Sequence, residues 1–142
     1  TYVEVNLGAQ TLYFIKNGEV LLSSVFVSGN PNTGHNTPGG IYSLTYKTTN
    51  HRMVGADYDV FTYYWMPFNG NIGFHDATWR GAFGGSLYLS NGSHGCVNMP
   101  FEKAKALYGL VEQGMPVIFT SPTVYSPGAD ITFTSLPFAA AV

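Results

Sequence analysis

Apolar and polar positions alternate from the first residues onward: Val3, Val5 and Leu7 point one way, and Tyr2, Glu4 and Asn6 the other. That period of two is the mark of a half-buried strand. Gly8-Ala9-Gln10 turns the chain into Thr11–Lys16, rich in β-formers, and Asn17-Gly18 separates this run from Val20–Ser28, which carries Leu22, Val25 and Val27. Asn-Gly between two such runs predicts a hairpin with a type I′ turn, because that turn needs positive φ at both central residues. The chain is therefore expected to open with three antiparallel strands. Gly29–Gly40, punctuated by Pro31, Gly34, Pro38 and Gly39-Gly40, reads as loop. Strand character resumes over Ile41–Thr48 and gives way to a polar loop between Thr49 and Asp59 that holds His51 and Arg52. It returns in the aromatic run Val60–Met66, which Pro67 is expected to end. Asn69-Gly70-Asn71 then turns into a short strand, Ile72–Asp76.

Residues 77–92 form a connection rich in glycine and aromatics (Trp79, Phe83 and Tyr88 among them). A loop of that length in a compact domain is usually functional. Pro100 fits the first position of a helix. Phe101, Ala104, Leu107, Tyr108 and Val111 follow at helical spacing, with Glu102, Lys103 and Glu112 outside that stripe and Gly114 as a stop before Pro116. Val117–Thr120 reads as a buried strand, and in the Pro- and Thr-rich tail Ile131–Thr134 has strand character. The fold class expected is mainly β, a sandwich or rolled mixed sheets with one main helix following the cysteine turn, and not a βαβ fold. Residues 1–120 make the domain, with 121–142 a C-terminal extension packed on it or trailing it.

Composition narrows the function classes. A chain of 142 residues that is 45% hydrophobic and 15% aromatic can fill one core. Six Lys and Arg among eight acidic residues make no basic patch, which excludes a nucleic-acid binder. One cysteine permits no internal disulfide. No run approaches the roughly 18 apolar residues of a membrane span, and no signal peptide is visible. The strand pattern begins at once, as expected for a domain whose export signal or anchor lies elsewhere.

The cysteine sits in Ser93-His94-Gly95-Cys96-Val97-Asn98. A thiolate is the reactive form, and a helix N-terminus or a nearby imidazole favours it; this stretch offers both. His94 lies two residues before Cys96, and the two would share a face in an extended segment. His75 ends a strand beside the Gly-rich connection, a common place for catalytic groups. The N–H groups of Gly95 and Cys96, entering a helix, are candidate oxyanion donors. Asp76, or a backbone carbonyl near it, could hold the His75 tautomer. Plainer readings stand beside these. A lone buried cysteine can be an apolar filler, Asn98 can cap the helix, the aromatics can be core, and His35 and His51 read as solvated loop residues. His75, His94 and Cys96 equal in number the ligands of a catalytic zinc, but no acidic motif accompanies them and no metal is expected.

Ile72-Gly73-Phe74-His75-Asp76 followed by Ser93-His94-Gly95-Cys96-Val97-Asn98 resembles the signature of the L,D-transpeptidase catalytic domain of YkuD type. Gln10-Thr11-Leu12-Tyr13, Lys16-Asn17-Gly18, Thr37-Pro38-Gly39-Gly40, Tyr64-Trp65-Met66-Pro67 and Trp79 are similar too, so the resemblance spans roughly residues 2–120. It implies a peptidoglycan cross-linking enzyme. Cys96 would attack the bond before the terminal D-Ala of a tetrapeptide donor stem, and the acyl group would pass to a side-chain amine of an acceptor stem in a 3→3 link. By the same resemblance His75 is the general base and His94 an orienting or charge-tuning group. Ser93, Gly95 and Asn98 shape the turn, and Asn98, Tyr64, Trp65, Asn71 and Trp79 contact substrate. Carbapenem-type β-lactams are the implied covalent inhibitors. No cofactor is implied, and a monomer working outside the cytoplasm is expected. Two rivals remain open at this level: an L,D-carboxypeptidase with water as acceptor, and a peptidoglycan-binding module without catalysis.

Overall fold

The computed structural model describes residues 1–120; the extension from 121 onward, with the expected strand at 131–134, lies outside them. In chain order the elements are β1 (Tyr2–Asn6), β2 (Thr11–Lys16), β3 (Glu19–Val25), a 3₁₀ turn (Pro31–Thr33), β4 (Ile41–Ser43), β5 (Thr48–Val54), β6 (Asp59–Asn69), β7 (Ile72–Asp76), the short α1 (Tyr88–Asn91), β8 (Val97–Met99), α2 (Phe101–Leu110) and β9 (Pro116–Phe119). Two sheets result, one ordered β3-β2-β1-β9-β4 and the other β5-β6-β7-β8. Both are mixed, because β1 pairs β9, and β7 pairs β8, in parallel. This is the mainly β architecture with one main helix that the sequence pattern predicts.

The opening hairpins form as expected. Asn17 and Gly18 have φ of 51° and 79°, both positive, as the type I′ turn between β2 and β3 demands. The expectation that β1 is half-buried is corrected: Glu4 and Asn6 are as buried as Val3 and Val5. β9, far off in sequence, pairs the free side of β1 and makes it the middle strand of five. The polar positions are partly satisfied locally, with Tyr2 Oη donating to Glu4 Oε1 and the Ala9 N–H to Asn6 Oδ1, while Asn6 Nδ2 has no hydrogen-bond partner among the described residues.

The stretch after Ile41 also differs from expectation. β4 stops at Ser43, and Thr48–Val54, expected to be largely loop, is a strand paired to β6. Pro67 does not end β6. It sits where the β6–β7 register shifts, between Pro67 and Asn69, so its missing N–H is tolerated at an interrupted ladder. Gly73 lies opposite, and a Cβ there would come within 2.4 Å of Pro67 Cα, so the strand that carries His75 needs glycine at that point.

Between the sheets, Val3, Val5, Leu12 and Phe14 pack with Phe74 and Val97 in one core. α2 covers it through Ala104 and Leu107, both fully buried; cutting Leu107 back to Ala should cost about 2–5 kcal/mol. The second sheet thereby becomes a rigid floor on which β7 and β8 place their side chains.

Candidate active site

β7 and β8 run side by side with His75 opposite Asn98. Cys96, in the bend just before β8, packs with Trp65 and Met53, and the Trp65 ring lies 5.9 Å from that of His75, so cysteine and histidine share the Trp65 side of the sheet. Trp65 pairs with His75 from the other side on β6. Both His75 and Cys96 are fully buried.

The hydrogen bonds around His75 settle its proton. Nδ1 lies 2.7 Å from the Asp76 carbonyl, which can only accept, so Nδ1 carries the hydrogen. Nε2 lies 3.2 Å from Asn98 Nδ2. The Asn98 amide is oriented by Arg80, whose Nε donates to Asn98 Oδ1 at 2.9 Å, so the Asn98 NH₂ faces the ring and Nε2 accepts. Burial is the main reason the His75 pKa is pushed down to about 4; the Asp76 carbonyl opposes this, and the positive charge of Arg80 adds to it. His75 is therefore a neutral imidazole whose unprotonated Nε2 is on the cysteine side of the sheet.

The cysteine turn is tied by its own serine. Ser93 Oγ accepts the Gly95 N–H at 3.1 Å and donates to the Cys96 carbonyl at 2.5 Å. Thr37 Oγ1 donates to the Gly95 carbonyl and accepts the Gly29 N–H. Gly95 has φ of 136°, a conformation that favours glycine, and Gly29 is pressed against it: a Cβ on Gly29 would lie 1.7 Å from the His35 carbonyl oxygen and 2.9 Å from Gly95 Cα. The thiol itself donates to the Asn71 carbonyl at 3.3 Å.

Two expectations for this turn are corrected. Cys96 leads into β8, and α2 begins only at Phe101, so no helix N-terminus adjoins the sulfur and Asn98 caps no helix. The Gly95 N–H is taken by Ser93, which removes it as an oxyanion donor. Of the two groups offered for holding the His75 tautomer, the backbone carbonyl, that of Asp76, orients the imidazole, while the Asp76 carboxylate accepts the Tyr63 and Tyr64 N–H groups.

Other candidates divide by strand face. Trp65 is buried between two histidines, its ring 5.9 Å from His75 and stacked on His51 at 5.3 Å. Tyr64, one residue away, projects to the opposite face and packs on Phe101 and Tyr108, so it is core and not groove, contrary to expectation. Trp79 is 46% exposed with its ring 6.0 Å from His75. Asn71 offers the thiol its carbonyl and lines a cavity of about 220 Å³ with His51, Met53, Tyr58 and Trp65. His94 lies between His35, edge-on at 4.6 Å, and Tyr58, stacked at 5.6 Å. His35 and His51 thus belong to the site's surroundings and are not merely solvated. Among the described residues no three His, Cys, Asp or Glu side chains converge as a metal site.

Sequence reasoning passed over Thr37, Tyr58 and Arg80. The first was visible only as part of Thr-Pro-Gly-Gly, the second in an assumed loop, and the third as one charge in a Gly-rich connection.

The comparisons with known proteins bear on the family and the fold. The family model of the L,D-transpeptidase catalytic domain, YkuD, matches residues 1–119. Among solved structures, a serine-for-cysteine mutant of the Enterococcus faecium L,D-transpeptidase is 36% identical over 84% of this chain and 49% of that one, with a TM-score of 0.79. The catalytic domain of the E. faecium enzyme acylated by ertapenem is 36% identical over 82% of this chain and 93% of that one, with a TM-score of 0.71. An L,D-transpeptidase from Stackebrandtia nassauensis is 30% identical over 82% of this chain and 53% of that one, with a TM-score of 0.68. The chain spans about half the length of the first of these relatives. No curated protein matches.

Proposed function

We propose, from the premise that the chain belongs to the YkuD family of L,D-transpeptidase catalytic domains, that Cys96 is the nucleophile of a peptidoglycan 3→3 cross-linking reaction and His75 its general base. The observation that carries this reading is the tautomer: a neutral imidazole, with Nδ1–H held by the Asp76 carbonyl and Nε2 unprotonated, on the Trp65 side of the sheet where the cysteine packs. As Sγ bonds to the carbonyl carbon before the terminal D-Ala, its proton passes to His75 Nε2. Collapse breaks the C–N bond, and the leaving amine takes that proton. The side-chain amine of an acceptor stem then attacks the thioester, loses a proton through His75, and restores the thiol. In this reading the Cys96 N–H donates to the oxyanion. His94 tunes the thiol's surroundings, Trp65 and Asn71 wall the Cys96 side, and Trp79 walls the His75 side.

A relative acylated by ertapenem supports Cys96 as the residue that carbapenem-type β-lactams modify. The substrate lies in the cell wall, so this reading puts the domain outside the cytoplasm. This reading takes the domain to work as a monomer. Mass spectrometry of the products from a purified tetrapeptide stem tests the proposal. Cross-linked dimers with release of D-Ala are expected; tripeptide alone would make the protein an L,D-carboxypeptidase, and an unchanged stem would leave only binding.

A further inference from the structure

Among the described residues, no carboxylate answers the charge of Arg80. Its side chain is half-buried, yet both of its hydrogen bonds end on neutral acceptors, Asn98 Oδ1 at 2.9 Å and the Asn91 carbonyl at 2.6 Å. Among the described residues the one salt bridge is Arg52–Asp59, on the surface. Nη2 of Arg80 has no partner there, and the side chain lines a cavity of about 370 Å³ with Trp79, Gly81, Ala82, Leu87 and Asn91, none of them acidic. Burial pulls the Arg80 pKa down, as desolvation of an uncompensated cation should. A planar guanidinium at a cavity wall, short of a counter-charge, matches a carboxylate, which it can grip by two parallel N–H bonds.

Its place gives the anion an identity. One amide, that of Asn98, separates the guanidinium from His75 Nε2, and Trp79 joins the cavity to the His75 ring. In a donor stem the terminal D-amino acid carries its carboxylate on the carbon next to the scissile nitrogen, within the roughly 3.8 Å that one residue spans. With that nitrogen at His75, its carboxylate falls on the Arg80 side. We propose that the cavity beside Trp79 is a carboxylate subsite for the donor peptide, with Arg80 as its anchor. This deepens the transpeptidase reading and rests on it. A side-chain carboxylate of the stem has the same chemistry and is the second possible source.

The full-length Cys96→Ala chain, which binds without reacting, is titrated by calorimetry with three synthetic tetrapeptide stems: the free acid, the C-terminal amide and a side-chain amide. A lost charge-assisted pair corresponds to roughly ten- to hundredfold in affinity. The terminal amide should bind weaker by that factor, and adding Arg80→Gln should bring the acid and the amide within about twofold. Arg80→Lys, which keeps the charge without the fork, should restore part of the difference. Discrimination against the side-chain amide instead would keep the subsite and assign it the other carboxylate. Equal binding of all three stems to the Cys96→Ala chain, or discrimination that survives Arg80→Gln, overturns the anchor. If Arg80 only positions Asn98, Arg80→Gln in the Cys96 protein lowers the acylation rate for every stem alike and leaves the acid-to-amide ratio of KM unchanged, which also overturns it. Failure of the transpeptidase reading looks different: the Cys96 protein gives no cross-linked dimers from the free-acid stem, whatever the ratio of affinities.

Discussion

Acid should destabilise this protein through His75 in a defined window. The imidazole is fully buried with a pKa of about 4, against an ordinary value of 6.5 in the unfolded chain. Between those values the unfolded chain binds a proton that the folded protein refuses. Stability therefore rises with pH across the window, is complete above 6.5, and is lost as pH falls towards 4. The linkage relation puts the loss from this one group at about 2 kcal/mol near pH 5 and about 3 kcal/mol near pH 4. The comparison protein is His75→Gln, whose amide can donate to the Asp76 carbonyl and accept from Asn98 but does not titrate. Urea midpoints, converted through a common m-value, should fall with acid more steeply in the wild type than in the variant, and the gap between the two curves is the His75 contribution. Parallel curves from neutral pH down to the wild type's acid limit would mean that the ring is solvated or charged in the fold. The neutral-base reading of the site would then be wrong.

Three further outcomes follow from the same geometry. Intact-protein mass after incubation with a carbapenem should show one adduct on the wild type and none on Cys96→Ala; an adduct on both would move the nucleophile elsewhere. Asp76→Asn should keep the acylation rate within about tenfold while lowering stability by roughly 1–3 kcal/mol, because the carboxylate serves the Tyr63 and Tyr64 N–H groups and the carbonyl serves His75; a loss of acylation approaching that of His75→Ala would return the carboxylate to the mechanism. Gly29→Ala must push a Cβ into the His35 carbonyl, and a melting experiment should report at least 1–3 kcal/mol of destabilisation.

What could be read in advance was local. The Asn17-Gly18 hairpin follows from two residues, and the pairing of His75 with Cys96 followed from a motif. What could not be read depends on residues distant in sequence. β1 looks half-buried until β9 is known to pair it, more than a hundred residues later. Thr48–Val54 looks like loop because its polar side chains face solvent as one of the two outer strands of the second sheet, where alternation is weak. The helix begins where Pro100 and the apolar stripe put it, but those signals say nothing of Val97–Met99, which β7 and Val27 draw into a strand between the cysteine and the helix. Arg80 had no local mark at all; its meaning comes from Asn98, on another strand.

That last contact orders the whole site. Arg80 can only donate, so Asn98 Oδ1 must accept; the Asn98 NH₂ must then donate to His75 Nε2, and His75 Nδ1–H must donate to the Asp76 carbonyl. Every bond in the series points the same way, and the end that fixes the direction is a guanidinium that is charged at any working pH. The arrangement holds Nε2 free of a proton, but it also occupies that nitrogen with the Asn98 amide. The thiol, for its part, is bonded to the Asn71 carbonyl. Base and nucleophile are thus each engaged elsewhere in the resting protein, and proton transfer requires both bonds to be exchanged for contacts with the substrate. A peptide whose carboxylate draws on Arg80 loosens the first of them at its source. Recognition of the donor and release of the base would then be one event.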